Sequence, residues 1–187
     1  KGLSGLEGIE VLHTDNADPS VISRHPEESE TILEMLVRTC TSGNVLSLGL
    51  ESADPAVAGR NNLNSTAEEA LTAVRMINRA GIERGPTGLP RLLPGLNFLA
   101  GLEGETPETF LADSAFLESI MNEGLAVRRI NIRQVSPVRR EFPRKGSKKP
   151  FIRFREFVRS EIDPVMLGRV APTGTVLKKL FTEVKIG

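Results

Sequence analysis

The chain has 187 residues, with 24 Lys+Arg balanced by 24 Asp+Glu and neither Tyr nor Trp. Its 39% hydrophobic and 26% charged content lies in the globular range, which excludes a wholly disordered or collagen-like polymer. No apolar run approaches the roughly 20 residues of a membrane span, and one Cys excludes an internal disulfide, a CxxC pair and a four-Cys zinc site.

The predicted elements alternate strand and helix. Ile9-Glu10-Val11-Leu12-His13 reads as a short apolar strand, and Pro26-Glu27 opens a helix in which Ile32, Leu33, Leu36 and Val37 recur at three to four. Cys40 follows that stripe and is expected in the core, as free Cys commonly is. His13 and His25 are not one helical turn apart and offer no paired metal ligands. Asn44 to Leu50 forms the second strand. Ser65-Thr66-Ala67-Glu68 is a capping box ahead of Leu71, Val74, Met76 and Ile77, with Gly81 in the left-handed position that ends the helix.

Leu96 to Gly101 is the third strand. Thr106 caps the next helix, Pro107 takes its first position, and Phe110, Phe116, Leu117 and Ile120 form its inner face before Gly124 ends it. Val127 to Val135 is the fourth strand. A helix follows from near Phe151, with Phe151, Phe154, Phe157 and Val158 opposite Arg153, Arg155 and Arg159; core packing is its expected role, base stacking the alternative. Pro164 and Pro172 are expected to break it, and a last element begins near Leu177.

Four strand–helix units imply an α/β fold with a parallel sheet and right-handed crossovers. The expected organisation is half of a (β/α) TIM-type barrel over residues 1–137, a basic loop over 138–150, and a truncated helical extension over 151–187. Further barrel is expected before Lys1, which opens the sequence without Met or a leader-like pattern. The compartment expected from the lone thiol is the cytoplasm, with no membrane partner.

The balanced charge hides an asymmetry. Residues 1–127 carry 8 Lys+Arg against 19 Asp+Glu, whereas residues 128–159 carry 12 against 2. Arg139, Arg140, Arg144, Lys145, Lys148 and Lys149 concentrate in the loop, a candidate surface for nucleic acid or another phosphate-rich partner; a solvated face is the plainer reading.

Ligands of parallel α/β folds sit at the carboxyl ends of strands. The exits here are polar: His13 to Pro19, Glu51 to Pro55, Glu103 to Thr106, and Arg133 to Pro137. A carboxylate there can hold an ammonium or ribose hydroxyls. Asp15, Asp18 and Asp54 serve equally well as helix caps, and Asn61-Asn62 as a turn.

In order, these segments resemble the later part of the partial barrel of radical S-adenosylmethionine enzymes. Leu46 to Pro55 is similar to the family's mid-barrel strand ending in Gly-x-Glu-Ser, and Asn97 to Thr106 to its next strand, which ends in Gly and then Gly-Glu-Thr. His13 to Pro19, Arg60-Asn61-Asn62-Leu63 and Arg128 to Val135 resemble archaeal members of unassigned reaction, as does the tail from Phe154 to Pro172.

The resemblance implies S-adenosylmethionine as cofactor, cleaved at a [4Fe–4S] cluster to a 5′-deoxyadenosyl radical that takes hydrogen from an unknown substrate. It further implies that Asp15 meets the methionine amino group, that Glu51 and Ser52 lie near the ribose and carboxylate, and that Phe98 to Leu102 line the adenine. Asn16, Arg60, Asn62, Asn97, Gly101 and Arg133 complete the implied cofactor site. The family's CxxxCxxC is absent here, so the cluster ligands are expected outside the chain and the chain alone is expected to be inactive. Two other readings of the residues stand beside this one: a non-catalytic α/β module binding nucleic acid through residues 128–159, and a barrel enzyme using Asp15 and Glu51 as acid and base.

Overall fold

The computed structural model describes residues 7–135 and 148–178. Four strands, β1 (Asn16–Ala17), β2 (Asn44–Glu51), β3 (Leu92–Ala100) and β4 (Arg129–Gln134), run parallel and lie side by side in chain order. Helices α1 (Pro19–Arg24) and α2 (Pro26–Thr39) join β1 to β2, α3 (Pro55–Arg60) and α4 (Ala67–Gly81) join β2 to β3, and α5 (Pro107–Asn122) joins β3 to β4. The tail comprises α6 (Lys149–Phe157), a π-helical turn (Val158–Ile162) and α7 (Asp163–Val170). The α/β class and the parallel strand–helix alternation expected from the sequence are both present. No helix among the described residues is long and apolar enough to cross a membrane.

Successive strand side chains point to opposite faces. Leu46, Leu48 and Leu50 of β2 and Leu92, Leu96, Phe98 and Ala100 of β3 therefore share one face, and all belong to a single buried cluster. Leu33, Val74, Ile77, Phe116, Leu117, Ile120 and Phe154 supply the helical side of that cluster. Phe98 is its aromatic centre, edge-on to Phe116 and Phe154 with ring centroids 6.4 and 5.6 Å away. The α6 Phe stripe is thus core, and base stacking on Phe154 is ruled out by its burial. The opposite face of the sheet carries Ser47 and Gly49 of β2, Gly95 and Asn97 of β3 and Asn131 of β4, brought into rows by the register Ser47↔Gly95 and Gly49↔Asn97↔Asn131.

Several expected details are corrected. Ile9 to His13 forms no strand. It runs as an extended segment pinned by the Thr41 and Asn44 side chains, which take the Leu12 and Thr14 N–H groups at 3.0 Å, and sheet pairing starts only at Asn16. The capping box lies one residue later, at Thr66 and Glu69, because the Ser65 hydroxyl is buried and donates instead to the Gly49 carbonyl at 2.9 Å. Of the α2 stripe only Leu33 is buried, Ile32 being 55% exposed, and Cys40 is half-buried at the helix end rather than in the core. Pro164 does not break the tail helix: the wider π-helical turn precedes it and α7 begins at Asp163.

Gly81 ends α4 without a left-handed φ; its role is close approach. A Cβ there would lie 2.2 Å from the Leu92 carbonyl oxygen and 2.6 Å from the Leu92 Cβ, both fixed by β3. Gly81→Ala is expected to cost about 3 kcal/mol, the upper part of the usual overpacking range, read as a lowered urea midpoint. A cost under about 0.5 kcal/mol, typical of an unconstrained surface site, would mean that α4 does not pack this tightly on β3.

Candidate functional site

At the carboxyl end of β2 the backbone departs from regular strand. Glu51 has φ +67° and the Ser52 N–H bonds the Leu50 carbonyl at 2.8 Å, a positive-φ γ-turn that is rare and strained for a residue with a Cβ. The ladder slips at the same point, Gly49 pairing with Asn97 but Glu51 with Phe98. Gly49 leaves room for this geometry, since a Cβ there would stand 3.0 Å from Glu51 Oε1. Asn62, just after α3, has φ +51°. Glu51 and Asn62 are the only non-glycine residues with positive φ among those described, and both line the same cavity.

That cavity has a volume of about 480 Å³ and is walled by Asn16, Asp18, Glu51, Asn62, Asn64 and Asn97 with Ala17, Pro19, Gly49 and Leu63. It opens beside the carboxyl ends of β1 and β2, the end at which parallel sheets bind ligands. Burial raises the pKa of the Glu51 carboxyl and the charge of Arg133 opposes that rise. Asp18 caps α1, accepting the Ser20 N–H at 2.9 Å and the Ser20 hydroxyl at 2.8 Å through one oxygen. The Asn131 amide donates to Asn97 Oδ1 at 2.8 Å, which fixes the Asn97 side chain from the β4 side. Carboxylates with four carboxamides make a wall able to accept from an ammonium and to exchange hydrogen bonds with sugar hydroxyls.

The site's loops are held from behind by α5. Asp113, buried on α5, accepts the Ala53 N–H at 2.7 Å and the Ser52 hydroxyl at 3.3 Å. Burial pushes its pKa up to about 7 against those two hydrogen bonds, with Glu105 and Asp54 adding to the rise. Thr109 donates to Asp54 Oδ2 at 2.7 Å, and Asp54 caps α3. Burial works against the Asp54 carboxylate, but the Thr109 hydroxyl and the Ala56 and Val57 N–H groups outweigh it and lower its pKa. Asn61 closes the circuit to the β3 exit, giving an N–H to the Glu103 carbonyl at 2.9 Å and accepting the Glu103 N–H at 3.0 Å.

Of the residues expected around a cofactor, Asn16, Glu51, Asn62 and Asn97 meet at the cavity, and Arg133 lies near enough to influence Glu51. Asp15 is exposed and not on the cavity wall; its backbone carbonyl accepts the Ser47 N–H at 2.8 Å. Ser52 is buried and turned toward Asp113. Phe98 faces the core because it alternates with Asn97 along β3 and shares the buried face with Leu96 and Ala100. The N–H groups of Gly101 and Leu102 are taken by the Glu105 carboxylate, and Arg60 lies against Gly104, both away from the cavity. Lys148 and Lys149 are exposed at the start of α6, while Arg139, Arg140, Arg144 and Lys145 lie outside the described residues. Asn64 and Asp113 were not anticipated. Asp113 had a legible signal, a carboxylate at the three-to-four spacing of the apolar stripe from Phe110 to Ile120.

The chain is similar to archaeal proteins. An uncharacterized protein of Methanocaldococcus jannaschii is 48% identical over 192 aligned positions, covering 99% of the chain but 35% of that relative. An uncharacterized protein of Archaeoglobus fulgidus is 44% identical over 184 positions, again covering 35% of its length. A Methanopyrus kandleri protein, also uncharacterized, is 31% identical over 98 positions. The chain thus spans about a third of the length of the first two relatives. No family model matches it.

Proposed function

We propose that this chain is the cofactor-side portion of a radical S-adenosylmethionine enzyme, with the Glu51 cavity receiving S-adenosylmethionine. The observation that carries the reading is the convergence of Asn16, Glu51, Asn62 and Asn97, two of them at positive φ, on one cavity at the strand ends. The sheet supports a barrel segment: its strands follow chain order, without the order reversal of doubly wound folds.

The donor set suits a ligand that carries an ammonium, a sulfonium and ribose hydroxyls, and about 480 Å³ lies within the usual range for small-molecule sites. Glu51 and Asp18 would face the cationic end and the Asn amides the hydroxyls. When bound and given one electron by a cluster outside this chain, S-adenosylmethionine would release methionine and supply a 5′-deoxyadenosyl radical for hydrogen abstraction. A cluster does not fit this chain: its one Cys lies before β2, at the other end of the sheet, and the described residues hold no group of three or more potential metal ligands. The residues here bind and orient, and no step is assigned to an iron ligand among them. A cytoplasmic setting belongs to the same proposal.

The test is anaerobic reconstitution of the whole Methanocaldococcus relative beside the present chain. With S-adenosylmethionine and dithionite as electron donor, the expected result is iron, sulfide and 5′-deoxyadenosine formation in the longer protein alone; a longer protein that binds no iron after reconstitution would overturn the reading.

A specific observation favours a second reading, polyanion binding through residues 128–159. Arg153, Arg155 and Arg159 are exposed and form no ion pair among the described residues, with Arg155 5.7 Å from the Phe151 ring centre. Their contacts would be to phosphates, so affinity for a mixed-sequence oligonucleotide should fall steeply with salt and ignore S-adenosylmethionine. Fluorescence anisotropy across a salt series checks this.

A further inference from the structure

A second cavity, of about 860 Å³, lies at the amino ends of the strands, across the sheet from the Glu51 site. Ile9, Val11 and Leu89 give it an apolar wall, and His13 and Arg128 line its polar part. Ile9 and Val11 are 42% and 43% exposed, although the segment that carries them is tied down by Thr41 and Asn44. The floor is equally fixed, with Ser42 and Thr87 hydroxyls 2.7 Å apart.

Arg128 has no anionic partner among the described residues. Its guanidinium lies beside Gly43, whose Cβ position would be 3.6 Å from Nη1 and only 2.9 Å from Leu89 Cδ1, so a larger residue would crowd the floor. Glu10 also lines the cavity but forms no ion pair with Arg128 or His13. The electrostatics agree: burial and then the neighbouring Arg129 lower the pKa of Arg128, while burial and then Arg128 lower that of His13. Arg128 is thus a partly buried cation beside an apolar wall with no ion pair among the described residues, and an unpaired guanidinium next to apolar side chains suits an anion that carries its own apolar body.

We propose that this cavity binds a small amphipathic anion, its oxyanion on the Arg128 guanidinium and its apolar body against Ile9, Val11 and Leu89. A guanidinium fork matches carboxylate and phosphate alike, so the shared chemistry is a planar or tetrahedral oxyanion on an alkyl body. The site is independent of the S-adenosylmethionine reading.

Isothermal titration of the 187-residue chain with octanoate, octyl phosphate and 1-octanol tests it. At least one octyl anion should bind about tenfold or more tightly than octanol, the usual value of a charge-assisted contact. Arg128→Gln should erase that advantage without moving the thermal midpoint. Val11→Asn, at an exposed position, should weaken the octyl anions by about threefold or more through lost apolar contact. Preference between the two anions identifies the head group. Failure of both to bind, octanol binding as tightly as either, or an unchanged affinity in Arg128→Gln would each overturn the proposal.

Discussion

Between about pH 4 and pH 7 the unfolding free energy is expected to fall by about 1.4 kcal/mol per pH unit through Asp113, and Asp113→Asn should remove that slope. The ordinary carboxyl pKa of 3.8 is raised to about 7 here, largely by burial. In that window the folded chain keeps a proton that the unfolded chain has released. Raising the pH therefore favours unfolding until Asp113 ionises in the folded state as well. Asp54, Glu69, Glu108 and Glu123 act in the opposite sense, since their lowered values add stability that is lost only as pH falls below the ordinary range. Asn is neutral and still accepts the Ala53 N–H, so the difference between wild type and variant isolates Asp113. Urea denaturation from pH 4.5 to 8 measures it; parallel curves for the two proteins would show that Asp113 is not held protonated. Asp113→Ala is a harsher change, leaving the Ala53 N–H and Ser52 hydroxyl without their acceptor at a cost of about 2 kcal/mol.

Glu51→Gly should stabilise the chain and empty its cavity of affinity. A residue with a Cβ held at φ +67° carries strain of about 1 kcal/mol, which glycine does not. The same change removes the carboxylate from the cavity wall, and loss of a charged partner for a cationic ligand weakens binding by about tenfold or more. A gain in the urea midpoint together with lost S-adenosylmethionine binding would mark the strain as serving the ligand. Equal or lower stability in Glu51→Gly would mean that side-chain contacts of Glu51 outweigh its backbone cost.

The parts of the fold that follow from period and punctuation were legible in the sequence. β2 and β4 stand near their expected places because the apolar alternation faces a single core, and α5 does because Thr106-Pro107 and Gly124 bracket it. What was not legible depends on contacts between distant segments. Ile9 to His13 has a strand's composition, yet its backbone groups go to Thr41 and Asn44 side chains, a choice that no local pattern encodes. Ser65 loses the capping role to Thr66 because the Gly49 carbonyl lies above it. Gly81 reads as a helix stop, but what demands glycine is Leu92 pressed against it.

The site was partly legible for the same reason. Strand exits drew attention to Asn16 and Glu51 and the family resemblance to Asn62 and Asn97, which do converge, whereas Phe98 alternates with Asn97 onto the core face of β3 and the Ser52 hydroxyl turns to Asp113.

S-adenosylmethionine binding at the Glu51 cavity is tested most simply by a ¹H–¹⁵N chemical-shift titration of the chain. Perturbations should concentrate at Asn16, Gly49, Glu51, Asn62 and Asn97; a spectrum unchanged at saturating ligand, or changes confined to residues 128–159 or to the Arg128 cavity, would contradict S-adenosylmethionine binding at the Glu51 cavity.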